Sequence, residues 1–390
     1  MRSAARSILL LPALALVACG GGQSTPNGAI LADATPSSAV LSVALDGSAA
    51  SAMPAVAVAP EGTAAVASDV VFPPVTIVDD ASCHPHLFLR TEAVSRRINR
   101  HLYKLLGRID ALIVTHPAID TTGQAVWEHV SATGLDERFT VTKTGDQAYA
   151  WLLELRQGAA GDFTTVFSGT LDRTGVTGPH QGTGAMTLDL TALKSVVPAE
   201  PAAGVIQATF DVNPTSRQIV LDAAGVTWDR DGDPTDLPDV APRNAHYVFF
   251  REPGKGGSLK AADQMVFLCP ANPQLLRADV DLVHRWFVTG GAIHGRSDAQ
   301  LLGGQLTATQ RVAGVTCHQR PVGGLLAEGY WQMKLEDGGA VVQGSAHEAG
   351  TGTPCDPAFG PVPALDTTAD DFDFSQVSFT DSSPYPFPGM

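Results

Sequence analysis

The residues best placed to do chemistry are carboxylates. Asp229, Asp231 and Asp233 stand at alternate positions, with Asp236 and Asp239 just beyond. Calcium takes six to eight oxygen ligands, and a tight loop can converge several of these side chains, so the segment is a candidate structural calcium site. Its rival is a solvated turn between strands, in which Asp, Gly and Pro act as turn formers. A second arrangement puts thiol beside imidazole, in Cys83-His84-Pro85-His86 and Cys317-His318. Neither has the CxxC or HxxxH spacing that sets two ligands on one ion, which argues against zinc or copper.

Other motifs fail on inspection. Glu252-Pro253-Gly254-Lys255-Gly256-Gly257-Ser258 is glycine-rich, but its lysine precedes the glycines, so it reads as a hairpin and not a phosphate loop. The chain has no GxSxG elbow and no HExxH, and His347-Glu348 lacks a second histidine. His246, His284 and His294 fall in strand-like stretches, where a lone imidazole is usually a hydrogen-bonded structural group. Trp286, Tyr330 and Trp331 can line a binding face, but aromatics in strands more often pack a core. No catalytic residue emerges, and the expectation is a protein without enzymatic activity. The aspartate segment resembles the DxDxDG core of calcium loops, with two departures: Pro234 replaces the turn glycine and Val240 the acidic twelfth position.

The start of the chain carries an address. Arg2 and Arg6 precede an apolar run, Ile8 to Val17, too short to span a bilayer. Leu16-Val17-Ala18-Cys19 then resembles the lipobox of bacterial lipoproteins. That resemblance implies a signal peptide over 1–18, cleavage before Cys19, and acylation of Cys19 by palmitate-like chains. Two or three acyl chains hold a protein firmly where one does not. Gly20, in place of the aspartate that retains such proteins at the inner membrane, points to the outer membrane, facing periplasm or surface. Acidic residues number 40 and basic 25; loss of Arg2 and Arg6 leaves 40 against 23, or −17. Such a field excludes nucleic acid as a partner. The implied partner is a membrane, held through lipid.

With Cys19 lipidated, Cys83, Cys269, Cys317 and Cys355 form an even set, and an exported chain favours two disulfides. Of three pairings, proximity favours Cys317 with Cys355 and Cys83 with Cys269. Residues 19–82, rich in Ala, Ser, Pro and Gly and free of Lys and Arg, read as a disordered tether, with Val40 to Leu45 and Val70 to Val78 able to become strands. A β-rich domain covers 83–365, with an internal seam near 269–276, and an acidic, Pro-rich segment covers 366–390.

Thr91 to Thr115 has helical periodicity, with Val94, Ile98, Leu102, Leu105, Leu106, Ile109, Leu112 and Ile113 in one band. Thr91 is the expected N-cap, and His116-Pro117 the stop. Arg96, Arg97, Arg100, Lys104 and Arg108 form the opposite face: a solvated stripe paired with acidic neighbours, or a contact for lipid phosphates. Beyond it the period changes to two, most clearly at Ile206, Ala208, Phe210 and Val212. The fold class is therefore mainly β (α+β): a large antiparallel curved sheet, half-barrel or sandwich, with one long N-terminal amphipathic helix. In architecture alone this resembles Lol-type lipid carriers, half-barrels around an apolar cavity. The reading is an outer-membrane lipoprotein presenting a binding or structural domain; the alternatives are a carrier of lipid or another hydrophobic ligand, and an envelope enzyme whose site is dispersed in sequence.

Overall fold

The computed structural model describes residues 26–38, 40–43, 76–78, 86–115, 117–131, 134–158, 160–200, 202–228, 240–269, 272–304, 306–321, 327–343, 345–350, 355, 359 and 377–388. The chain opens with helix α1 (Pro26–Ala32), strand β1 (Thr76–Val78) and helix α2 (Leu87–Ile113). Strands follow: β2 (Ile119–Asp120), β3 (Gln124–Val130), β4 (Leu135–Lys143), β5 (Ala148–Gln157), β6 (Thr164–Asp172) and β7 (Gly182–Asp189). Helix α3 (Leu190–Val196) precedes β8 (Ala202–Val212), β9 (Arg217–Trp228), β10 (Val240–Glu252), β11 (Gly256–Cys269) and β12 (Asn272–Thr289). The last strands are β13 (Ala292–Leu302), β14 (Gln310–Pro321), β15 (Ala327–Asp337), β16 (Ala340–Val341) and β17 (His347–Gly350).

From β2 to β15 every strand pairs antiparallel with the next. β16 and β17 both pair with the far edge of β15. β1 alone is parallel, lying against Val266 to Leu268 of β11, beyond the point where β10 leaves that strand at Ala262. The result is a mainly β protein built on one large antiparallel curved sheet that does not close into a barrel.

The sheet curls because its two ends share one helix. α2 touches β3 near the start of the meander and β13 and β14 near its end. Val94, Ile98, Leu106, Ile109 and Leu112 of α2 are buried in the same core as Trp127, Phe139, Trp151, Phe210, Phe249 and Trp286 of the strands. Each such side chain contributes about 1.5–3 kcal/mol by leaving water. Tight curvature is helped at four places where a ring on the concave face lies over a glycine directly opposite. The pairs are Trp151 with Gly169, Phe210 with Gly184, Trp286 with Gly257, and His318 with Gly295. A Cβ at any of these glycines would overlap the ring, so the missing side chain lets the backbone approach the ring closely.

α2 begins earlier than its periodicity predicts. Thr91 is not the N-cap but lies inside the helix, its hydroxyl donating to the Leu87 carbonyl at 2.8 Å. His86 occupies the cap position in a left-handed conformation (φ 42°) with no side-chain cap bond. The helix stops at Ile113, ahead of Pro117, as expected. Its basic face is not a uniform stripe. Arg96 is exposed and pairs with Glu92 at 3.2 Å, whereas Arg108 turns inward to Glu137 of β4, Nε to Oε2 2.9 Å. Burial lowers the Arg108 guanidinium to about 10, still protonated at neutral pH.

Part of the expected tether is seated on the helix. Leu31, Ala34, Leu41 and Val43 are buried in the main core. Asn99 grips both backbone groups of Val43: the Val43 N–H donates to Oδ1 at 2.6 Å, and Nδ2 donates to the Val43 carbonyl at 2.5 Å. Ser95 donates to the same carbonyl at 2.5 Å. Thr91, Ser95 and Asn99, four apart, are thus a buried polar stripe whose partner is backbone. Residues 40–43 form a turn and coil rather than a strand, while Thr76–Val78 does become one. Residues 306–309 form the turn before β14. The seam expected near 269–276 is the hairpin between β11 and β12, which remain paired up to Cys269 and Asn272.

Candidate functional site

Alternate residues of β12 to β14 face α2. His284 of β12 is completely buried; its Nδ1 lies 2.8 Å from Ser297 Oγ on β13. Its ring stacks on Trp286 at 5.5 Å and on His318 of β14 at 5.2 Å, both interplanar angles being 18°. Phe88 of α2 closes the group, 4.1 Å from the His318 ring and 5.5 Å from His284. A base beside a hydroxyl is the opening arrangement of nucleophilic catalysis. Here burial, with a smaller contribution from the Arg285 charge, holds the His284 imidazole down at about 3. So weak a base, sealed from solvent, positions a packed ring stack better than it activates serine.

The opposite face of the same strands is also covered. Ala313, Val315 and Cys317 of β14 form a second small core with Tyr330 of β15, Cys355 and Phe359. Cys317 and Cys355 are joined in a disulfide, Cα to Cα 5.3 Å. Cys83 and Asp229, Asp231, Asp233, Asp236 and Asp239 lie outside the described residues, as do Cys19 and the side chain of Cys269, so the loop and the second pairing have no described geometry. The Glu252–Ser258 segment is the β10–β11 hairpin, with Lys255 bonded to Glu252 at 3.0 Å. His347 and Glu348 lie on the exposed strand β17, and Trp286, Tyr330 and Trp331 are all buried.

Residues 377–388 lie across the outer face of β9 to β12. Gln218 of β9 donates to the Ser382 carbonyl at 2.9 Å. His246 of β10 bridges Asp222 Oδ1 at 2.6 Å and the Asp381 carbonyl at 3.0 Å. Both partners are acceptors, so the ring satisfies both only when each nitrogen carries a proton. Lys260 of β11 donates to the Ser378 carbonyl at 2.6 Å, to the Asp381 carbonyl at 3.0 Å and to Asp381 Oδ1 at 2.6 Å. The hydrogen bond from Lys260 holds the Asp381 carboxyl below its usual range. Tyr385 sits 5.1 Å from the Arg285 guanidinium, and Phe387 packs against Phe250 at 6.1 Å.

Sequence reasoning placed His284 and His246 in strands as structural histidines, and the structure gives each a hydrogen-bonded role. It missed Gln218, Lys260 and Asp381. Lys260 occupies the outward position of an alternating strand, where a lysine is normally solvated; only the acidic character of the C-terminal segment hinted at its partner. Compared with known protein families, curated proteins and solved structures, the chain matches none.

Proposed function

We propose that the protein is a lipoprotein of the bacterial outer membrane, anchored through acylated Cys19, whose β domain serves a binding or structural role in the envelope. The observation that carries this reading is the buried Cys317–Cys355 disulfide. Such bonds persist in oxidising compartments and are rare in reducing ones, and a chain with an export signal and a lipobox is delivered to the former. The concave face supports a structural or surface-binding role over carriage. A carrier needs an apolar lumen open to an acyl chain, whereas α2 and the rings of Trp127, Trp151, Trp286 and Phe139 occupy this one. The enzyme reading lacks a comparable anchor, because the histidine–serine contact is sealed.

Metabolic labelling with palmitate tests the anchor. The wild-type chain is expected to take up label and partition with outer membranes. A Cys19→Ala chain is expected to lose both; continued uptake by that variant would refute the proposal.

A further inference from the structure

The seating of residues 26–43 puts the domain on a short lead. Leu31, Ala34, Leu41 and Val43 are buried in the main core. The Asp33 carbonyl accepts from the His180 backbone N–H at 2.9 Å, and the Thr35 carbonyl from His180 Nδ1 at 2.6 Å. The Ser42 carbonyl accepts from Arg217 at 2.7 Å. Helix α1 starts at Pro26, seven peptide steps beyond Cys19. Whatever path they take, those steps span at most about 25 Å, whereas a coil free from residue 19 to 82 would reach about 45 Å on average.

Strand order tells which side of the domain lies at the end of that lead. Because β2 to β15 pair antiparallel in chain order, their connections alternate between two rims of the sheet. The turns 121–123, 144–147, 173–181, 213–216, 253–255 and 290–291 share one rim. Residues 33–43 cross it, since His180 belongs to one of these turns and Arg217 directly follows another. This rim is close to neutral: its turns carry only Asp146, Arg173 and Lys255 as charged residues, and Lys255 is paired with Glu252. The connection between Trp228 and Val240, at the opposite rim, contains Asp229, Asp231, Asp233, Asp236 and Asp239. Two large apolar side chains stand exposed beside the first rim, Ile30 of α1 at 57% and Ile119 of β2 at 47%.

We infer that the rim crossed by residues 33–43 rests on the lipid surface that holds Cys19, with Ile30 in the interfacial layer and the aspartate-bearing rim turned to water. The inference rests on acylation of Cys19. A domain of this size is roughly 50 Å wide, so so short a lead keeps the rim it is attached to nearest the bilayer. An exposed apolar side chain on a surface helix gains by entering the interface, and an anionic lipid surface repels the aspartate rim. Residues 26–43 thus act as a bracket that orients the domain on the membrane.

Brominated lipids test it, since bromine quenches a tryptophan that reaches the headgroup boundary. Acylated full-length chains are reconstituted into vesicles of phosphatidylcholine and phosphatidylglycerol, with and without bromine on the acyl chains close to the headgroups. Ile30→Trp is expected to lose most of its added fluorescence in the brominated vesicles. Leu302→Trp, at the end of β13 on the opposite rim and 37% exposed in the wild type, is expected to keep its own. Equal quenching of both probes, or of neither, in chains that float with the vesicles would overturn the inference and leave the anchor standing. A wild-type chain that does not float would refute the anchor, and the inference with it. Should Ile30→Trp not fold, Ile119→Trp takes its place with the same expected and contrary results.

Discussion

The strands before β10 and those from β10 onward follow one meander but differ in how they are covered. β5 and β8 are buried on alternate residues only, the outer ones facing water. β14 is buried continuously from Ala313 to His318, and β13 at every residue except half-buried Arg296 and Asp298 and the exposed Leu302 at its end. The first pattern is that of an antiparallel sheet with one solvated face; the second belongs to strands packed on both sides. The added cover consists of the 377–388 segment, Cys355 and Phe359. A sheet with one helix in its curl is thus finished differently in its two halves, and the second half can carry buried polar groups on its outer face because chain arrives there to pair with them.

The largest expected difference between the halves is in their response to acid. His284, in the later half, has its folded-state value lowered from 6.5 to about 3, mainly by burial. A depressed value means that the folded state resists protonation, so stability present above pH 6.5 is lost as pH falls towards 3, by up to about 5 kcal/mol. Glu200, in the earlier half, is raised from 4.5 to about 7, chiefly by burial. There the folded state binds the proton more tightly, so stability gained at low pH is lost as pH rises from 4.5 through 7, by about 3 kcal/mol. Melting temperature measured against pH is expected to flatten between 6.5 and 3 in His284→Gln, and between 7 and 4.5 in Glu200→Gln.

Next come the rings over glycines. Trp151→Ala and Trp286→Ala are each expected to cost about 3–5 kcal/mol in urea unfolding. The second is expected to cost more, because the His284 stack rests on Trp286; equal costs would argue against an organising role for that stack. The Cys317–Cys355 bond closes a loop of 38 residues, and Cys355→Ser is expected to lower stability by about 3–4 kcal/mol. The smallest effects separate the two outer faces. Thr209→Ala, on exposed β8, is expected to stay within about 0.5 kcal/mol. Val315→Ala, on the covered outer face of β14, is expected to cost about 2 kcal/mol.

The earlier half was largely legible in the sequence, since Ile206, Ala208, Phe210 and Val212 alternate with Gln207, Thr209 and Asp211 and one face is dry. The strands of the later half were legible too, but their cover on both faces was not. β13 reads Ala-Ile-His-Gly-Arg-Ser-Asp-Ala-Gln-Leu-Leu, and no periodicity tells that Ser297 and Gln300 are buried under different layers. Glycine is unfavourable inside a strand, and the reason for Gly295 is the ring of His318 opposite. Average composition marks residues 19–82 as a tether, yet the four buried apolar side chains Leu31, Ala34, Leu41 and Val43 and the amide of Asn99 seat part of it. The Cys317–Cys355 pairing was legible from proximity alone. The site around Lys260 was not, because its partner lies more than a hundred residues away on a segment without regular structure.

Amide hydrogen exchange tests the central claim, that the later strands are sealed on both faces and the earlier ones on one. At neutral pH, the amides of β12 to β14 are expected to exchange slowest in the molecule, with those of β4 to β6 measurably faster. Reduction of the Cys317–Cys355 bond is expected to speed exchange in β14 and β15 while leaving β4 to β6 unchanged. Uniform protection across both halves, or an equal response of both to reduction, would contradict the account.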